Sequence, residues 1–196
     1  MRFSPRARIE PSATVVINGL AMEKKKRGER VYNLSVGEPM IDTPTVVIDA
    51  ALAAMRQGKT HYPPVAGIPE LRDIASAWIN ETYRTDFSAA QTVVTCGGKF
   101  GIFAALQALL EQGDEVVIIA PYWVSYPEMV KLFGGVPKIL VTTEENTWKI
   151  TASQLEDTCN EKTKLIIFNN GSNPTGALYS REEIASFLTV AQEKNS

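Results

Sequence analysis

From about residue 69 onward, apolar positions recur in two alternating rhythms. Leu71, Ile74, Ala75, Trp78 and Ile79 fall at helical spacing behind Pro69, which predicts a helix opened by proline. Thr92-Val93-Val94-Thr95 is a compact β-branched run and predicts a strand. Gly97-Gly98-Lys99 follows, and then Ile102, Phe103, Leu106, Leu109 and Leu110 mark the inner face of another helix. Gly113-Asp114 turns the chain into a nearly all-apolar strand over 115–119. A helix over 126–133, stopped by Gly134-Gly135, leads to a strand over 136–141. A short helix over 154–159 and an apolar strand over 164–168 come next. Ser180-Arg181-Glu182-Glu183 has the form of a capping box and predicts the start of the last helix.

Upstream the pattern is less regular. One helix is predicted over 12–26, with Val15, Val16, Gly19 and Leu20 on one side and Gly28 as its stop. Residues 34–39 read as an extended piece ending in a turn, and Thr43-Pro44 as the start of the next helix. Apolar strands alternating with amphipathic helices predict an α/β fold, a three-layer α/β/α sandwich around a mostly parallel sheet. In such sheets ligands gather at the carboxyl ends of the strands. Residue 196 falls at the end of a helix, where this alternation should supply another strand, so the C-terminus reads as an interruption.

Composition narrows the function classes. Of 196 residues, 44% are hydrophobic and 21% charged, with a net charge of -2, which fits a globular protein and not a basic nucleic-acid surface. The basic run Lys24-Lys25-Lys26-Arg27 lies beside Glu23 and Glu29 and reads as a solvated helix face. Cys96 and Cys159 lack metal-type spacing and read as reduced thiols. Neither a signal-type N-terminus nor a membrane-length apolar run is present, so a cytoplasmic protein without nucleic-acid or membrane partners is expected.

The loops after the strands carry the candidate chemistry. Gly97-Gly98-Lys99 joins glycine freedom, a helix start and a positive charge, which suits a phosphate cradle or serves as a plain turn. Trp123, within Ala120-Pro121-Tyr122-Trp123-Val124-Ser125-Tyr126-Pro127, either stacks on a flat heteroaromatic ring or fills core. The loop Asn169-Asn170-Gly171-Ser172-Asn173-Pro174-Thr175-Gly176 offers amide donors and an Asn173-Pro174 bond able to be cis, or simply connects two elements. His61 is the single histidine and reads as a surface residue, so no histidine metal cluster or serine-histidine arrangement exists. No metal site is expected, and Glu144-Glu145 and Glu182-Glu183 read as exposed turns and caps.

Several segments in one order resemble fold-type I aminotransferases that use pyridoxal phosphate, and most of all their aspartate aminotransferase branch, often called subgroup Ib. They are Pro11-Ser12-Ala13-Thr14, Gly37-Glu38-Pro39 with Asp42-Thr43-Pro44, Tyr62-Pro63-Pro64-Val65-Ala66-Gly67-Ile68-Pro69-Glu70-Leu71-Arg72, Gly97-Gly98-Lys99, the 120–128 segment and Ser172-Asn173-Pro174-Thr175-Gly176. The resemblance implies that residues 1–45 form an N-terminal arm with part of a small domain. Residues 46–196 would be the N-terminal portion of a truncated large cofactor-binding domain. It implies that Gly97, Gly98 and Lys99 lie near the cofactor phosphate, that Trp123 stacks on the pyridine ring, and that Asn173 bonds the phenolic oxygen. It places the Gly37 backbone on the substrate carboxylate. Ser12, Thr14 and Lys99 fall near the distal carboxylate, with Trp123 and Asn173 also facing substrate. Tyr62 would reach the phosphate of a partner subunit, giving a homodimer with shared active sites.

The implied reaction is ping-pong transamination from L-aspartate to 2-oxoglutarate, yielding oxaloacetate and L-glutamate, as part of amino-acid biosynthesis. Aromatic, alanine or prephenate specificity, or a non-catalytic remnant of such a gene, are the alternatives. Two departures stand out. Members usually carry proline where this chain has Gly171, a change expected to loosen that loop. Prephenate-accepting members often carry lysine where this chain has Glu10. Members are also much longer, and the part beyond this chain carries the Schiff-base lysine, the aspartate facing the pyridine nitrogen and the arginine for the α-carboxylate. No catalytic residue is therefore expected within these 196 residues.

Overall fold

The computed structural model describes residue 4 and residues 9–194. They divide into two compact units, one built from residues 1–36 with 103–196 and the other from 37–102.

The first unit contains the sheet. Strands β1 (Glu115–Ala120), β2 (Val136–Val141) and β3 (Thr163–Ile167) are parallel, in the order β2-β1-β3. Glu115 pairs with Val136 and Ala120 with Val141 along one side of β1, and Val116 with Leu165 through Ile118 with Ile167 along the other. The central position of β1 explains its composition: Val116, Val117 and Ile118 are fully buried, because both faces of a parallel sheet are covered. The observed sheet and helices bear out the expected α/β sandwich.

Side chains alternate across the sheet, so Val117 and Ile119 share one face. There they meet Ile150, Leu155, Cys159, Tyr179, Phe187 and Val190, half of them from α6 (Ala152–Thr158) and α7 (Arg181–Lys194) and half from the segments beside them. α5 (Ser125–Leu132) packs on β1 and β2 and buries Tyr126, Pro127, Met129 and Val130. Helices α6 and α7 are each started by their own sequence. The Thr151 hydroxyl accepts from the Gln154 N–H at 3.2 Å, and the Ser180 hydroxyl from the Glu183 N–H at 3.2 Å. The N-terminal helix α1 (Ala13–Lys26) ends at Gly28, whose φ is +80° and whose N–H donates to Lys25.

The second unit holds α2 (Thr45–Arg56), α3 (Pro69–Tyr83) and the start of α4 (Gly98–Leu109). Pro44 sits at the N-cap of α2 and Pro69 opens α3, as the prolines predict. The strand expected over 92–95 is not formed. Those residues run without a strand neighbour. Their backbone is held piecemeal, by the Arg72 Nε donating to Thr92 O at 2.8 Å and the Val94 N–H donating to Ala66 O at 2.9 Å. A β-branched run becomes a strand only when a ladder partner lies beside it.

Candidate active site

Two loops leave the carboxyl ends of β1 and β3, neighbours in the sheet. At the end of β1, the Thr142 hydroxyl donates to Ala120 O at 2.6 Å, and the Thr142 N–H donates to the same oxygen at 3.1 Å. Thr142 is one of few buried polar residues, and this carbonyl satisfies both its donors. The Ala120-Pro121 peptide is cis, and Tyr122 and Trp123 follow it into α5. The half-buried Trp123 ring meets the buried Tyr126 edge to face, centroids 5.3 Å apart and planes at 85°. The buried Tyr126 therefore supports an indole that is still partly open.

The loop after β3 is fastened at several points. Asn170 grips Tyr179 by both backbone groups: its Oδ1 accepts the Tyr179 N–H at 2.8 Å and its Nδ2 donates to Tyr179 O at 3.4 Å. The N–H groups of Gly171 and Ser172 both donate to Ala177 O, at 3.1 and 3.2 Å. Asn169 Oδ1 accepts the Asn173 N–H at 3.0 Å. Asn173-Pro174 is cis, as the dipeptide allows. Tyr179 is itself immobilised. Its ring lies among Phe168 and Phe187, and its hydroxyl accepts the Ile150 N–H at 2.9 Å. Burial pushes the Tyr179 phenol above its ordinary pKa, so it stays neutral. The Lys149 ammonium lies 5.4 Å from the Tyr179 ring centre and 3.1 Å from Glu183 Oε2.

Tyr122, Tyr126, Trp148, Asn169, Ser172 and Asn173 line one recess between these loops. It has room for about 10 Å³, a single water, so a heteroaromatic ring would rest against its mouth and not inside it. Trp148 was not legible as a site residue. It follows the acidic turn at Glu144–Asn146, reads as part of an exposed loop, and takes up its place through a left-handed backbone at φ +58°. Its indole beside a polar turn was the one available signal.

Ser12 and Thr14 lie at the start of α1. Ser12 occupies the N-cap position, yet its hydroxyl pairs with Thr14 Oγ1 at 2.8 Å and caps no backbone group. The Glu10 N–H donates to Glu128 Oε2 at 3.1 Å, which ties this arm to α5. Lys131 first, and then this N–H, hold the Glu128 carboxyl below the ordinary glutamate pKa.

The remaining expected residues belong to the second unit. Gly97 has φ +84°, and a Cβ added at Gly97 or Gly98 would meet nothing within 4 Å. On the side where a Cβ would stand, the backbone there is open. Gly98 begins α4 and Lys99 is exposed in its first turn. A helix start presents N–H groups without intrahelical partners, and its dipole favours an anion. Gly37 and Tyr62 are exposed, Tyr62 completely. His61 and Cys96 are exposed, and Cys159 is buried, which raises its thiol pKa. Among the described residues no acidic, histidine or cysteine cluster suits a metal, and no helix is long and apolar enough to cross a membrane.

Each unit by itself carries groups of a kind that pyridoxal phosphate needs. In the second unit the glycine turn at a helix start, with a lysine, suits a phosphate; in the first a supported indole suits a flat ring, and an asparagine whose backbone N–H is held suits a phenolic oxygen.

The chain is similar to known proteins along nearly its whole length. The chain is 46% identical over 184 residues to a probable aspartate/prephenate aminotransferase of Rhizobium leguminosarum bv. phaseoli, covering 94% of this chain and 46% of that protein. It is 41% identical over 187 residues to an aspartate aminotransferase of Bacillus sp. strain YM-2, covering 95% of this chain and 48% of that protein. The solved aspartate aminotransferase of Thermus thermophilus with maleate superposes on all of this chain and 52% of its own, with a TM-score of 0.96 and 40% identity. The chain thus spans about half the length of the relatives it matches. The profile of the family described as aminotransferase class I and II matches residues 29–196, and the chain belongs to that family.

Proposed function

We propose that the whole protein is an aspartate aminotransferase working by ping-pong transamination with pyridoxal phosphate, and that this chain supplies much of its cofactor cradle. One observation carries the reading. Asn173 and the tyrosines flanking Trp123 share one recess at the carboxyl ends of two adjacent parallel strands. When bound, pyridoxal phosphate supplies the electron sink and the amino-group carrier. The residues of this chain bind and orient it. Gly97, Gly98 and Lys99 hold the phosphate at the start of α4. Trp123 supports the ring face, and the Asn173 side-chain amide donates to the phenolic oxygen.

The Gly37 backbone, Ser12, Thr14 and Lys99 receive the substrate carboxylates, and Trp123 and Asn173 border the substrate as well. Tyr62, wholly exposed, reaches the phosphate held by a second copy, which makes the protein a homodimer. In the whole protein residues 1–45 form the arm and part of the small domain, and 46–196 the first portion of the large domain. A cytoplasmic place in amino-acid biosynthesis goes with this reading.

The test uses the whole protein. Losing a hydrogen bond to a charged oxygen costs roughly 1.5–3 kcal/mol, so Asn173→Ala should weaken cofactor retention about ten- to hundredfold. Trp123→Ala should weaken it as well. Titration of the apoprotein, followed by cofactor absorbance, reads both; unchanged affinity in the two variants would sink the assignment. Steady-state rates with aspartate, aromatic, alanine and prephenate partners decide the specificity. Fastest turnover with a partner other than aspartate would replace the substrate reading and leave the cofactor reading intact.

A further inference from the structure

Side by side after β3, Asn169 and Asn170 point their hydrogen bonds at different parts of one loop. Asn170 is bonded to both backbone groups of Tyr179, the far end of the loop. Tyr179 is held in turn by Ile150, Phe168 and Phe187. With the two donors to Ala177 O, these bonds close the base of the loop. None of them touches Asn173. The bond that reaches Asn173 comes from Asn169, whose Oδ1 accepts its N–H across four positions.

Asn169 has a firm base from which to do this. It is half-buried, and the preceding Phe168 is packed 5.0 Å from Tyr179 and 5.7 Å from Phe187, centroid to centroid. It also lines the recess that Asn173 lines. We infer that Asn169 is a positioning residue for Asn173: it sets where the Asn173 backbone sits, and so where its side-chain amide points, while Asn170 holds the frame. This rests on the reading of Asn173 as the group that faces the cofactor. A side chain aimed from a loop tip is only as well placed as its backbone, and supporting hydrogen bonds supply that placement.

The experiment uses the whole protein, labelled for NMR, with pyridoxal phosphate as the probe. Asn169→Leu removes the acceptor at similar volume, and Asn169→Asp keeps an acceptor oxygen. Asn170→Ala and Asn173→Ala are made beside them. In Asn169→Leu, the Asn173 amide should exchange with solvent roughly two- to tenfold faster. Cofactor affinity should fall by a similar factor while the melting temperature changes little. Asn169→Asp should restore the slow exchange. Asn170→Ala should instead lower the melting temperature.

Unchanged exchange of the Asn173 amide in Asn169→Leu would overturn the inference. So would faster exchange with normal cofactor affinity, if Asn173→Ala does weaken binding. Should Asn173→Ala itself leave binding unchanged, the cofactor reading of Asn173 fails, and with it the functional half of the inference. The exchange rates would still decide whether Asn169 places that backbone.

Discussion

Gly171 stands where the resemblance expects proline, and its geometry suits glycine. Its φ is +76°, and its N–H donates to Ala177 O at 3.1 Å. Proline is locked near −65° and has no N–H, so it fits neither feature. The glycine allows a turn tied by this hydrogen bond. A Cβ added there would meet only Leu178 Cδ2 at 3.8 Å, an ordinary contact, so Gly171→Ala should cost about 1–2 kcal/mol from the left-handed backbone alone. Gly171→Pro should cost more, since it loses the bond as well, and urea unfolding of the two variants tests the ranking. Equal stability of the proline variant and the parent would show that the loop adopts another conformation. Asn173 was legible as a candidate, because an asparagine before proline in a polar loop after a buried strand is a local signal. The work of Asn169, Asn170 and Thr142 was not. Their partners are backbone groups whose nearness depends on the turn already being made.

Among the elements, β1, β2 and β3 fall within about a residue of the apolar runs that predicted them, and the helices marked by proline and by the Ser180 box start where expected, while α6 starts two residues early. The failure at residues 92–95 has the same physical root as those successes. Apolar β-branched residues describe a side chain suited to a sheet, and whether a neighbouring strand is present is a tertiary fact. The last helix supplies a prediction of its own. The Ser180 N–H, and after it Lys149, hold the Glu183 carboxyl below the ordinary value of 4.5. A carboxylate depressed in the folded state stabilises it above the unfolded value, and that contribution disappears as pH falls through the folded value. Stability should therefore decline as pH drops below about 4.5, and Glu183→Gln should flatten part of that decline. The group is only partly buried, so the effect is small and weakens with salt. An acid limb with the same slope in parent and variant would remove Glu183 from the account.

Among the described residues, side chains on both faces of the sheet are buried while much apolar surface stays uncovered. The division of residues 1–36 and 103–196 from 37–102 was not legible, because it depends on which distant segments meet and not on any local pattern. Of α1 only Ala21 is buried, while Val15 is 68% exposed and Val16, Ile17 and Leu20 are each about half exposed. Beside β3, Ile166, Phe168, Phe187 and Leu188 line a groove of about 300 Å³. β3 pairs with β1 on one side and with no other strand among the described residues. Open apolar surface and an unpaired strand edge both favour association. The 196-residue chain by itself should therefore bind a hydrophobic dye and sediment above the monomer. Leu188→Ser, at a position 59% exposed within the groove, should lower dye binding by the isolated chain without lowering its helix content. A dye-silent monomer with one sharp melting transition would contradict this, because the uncovered surface would then carry no measurable cost.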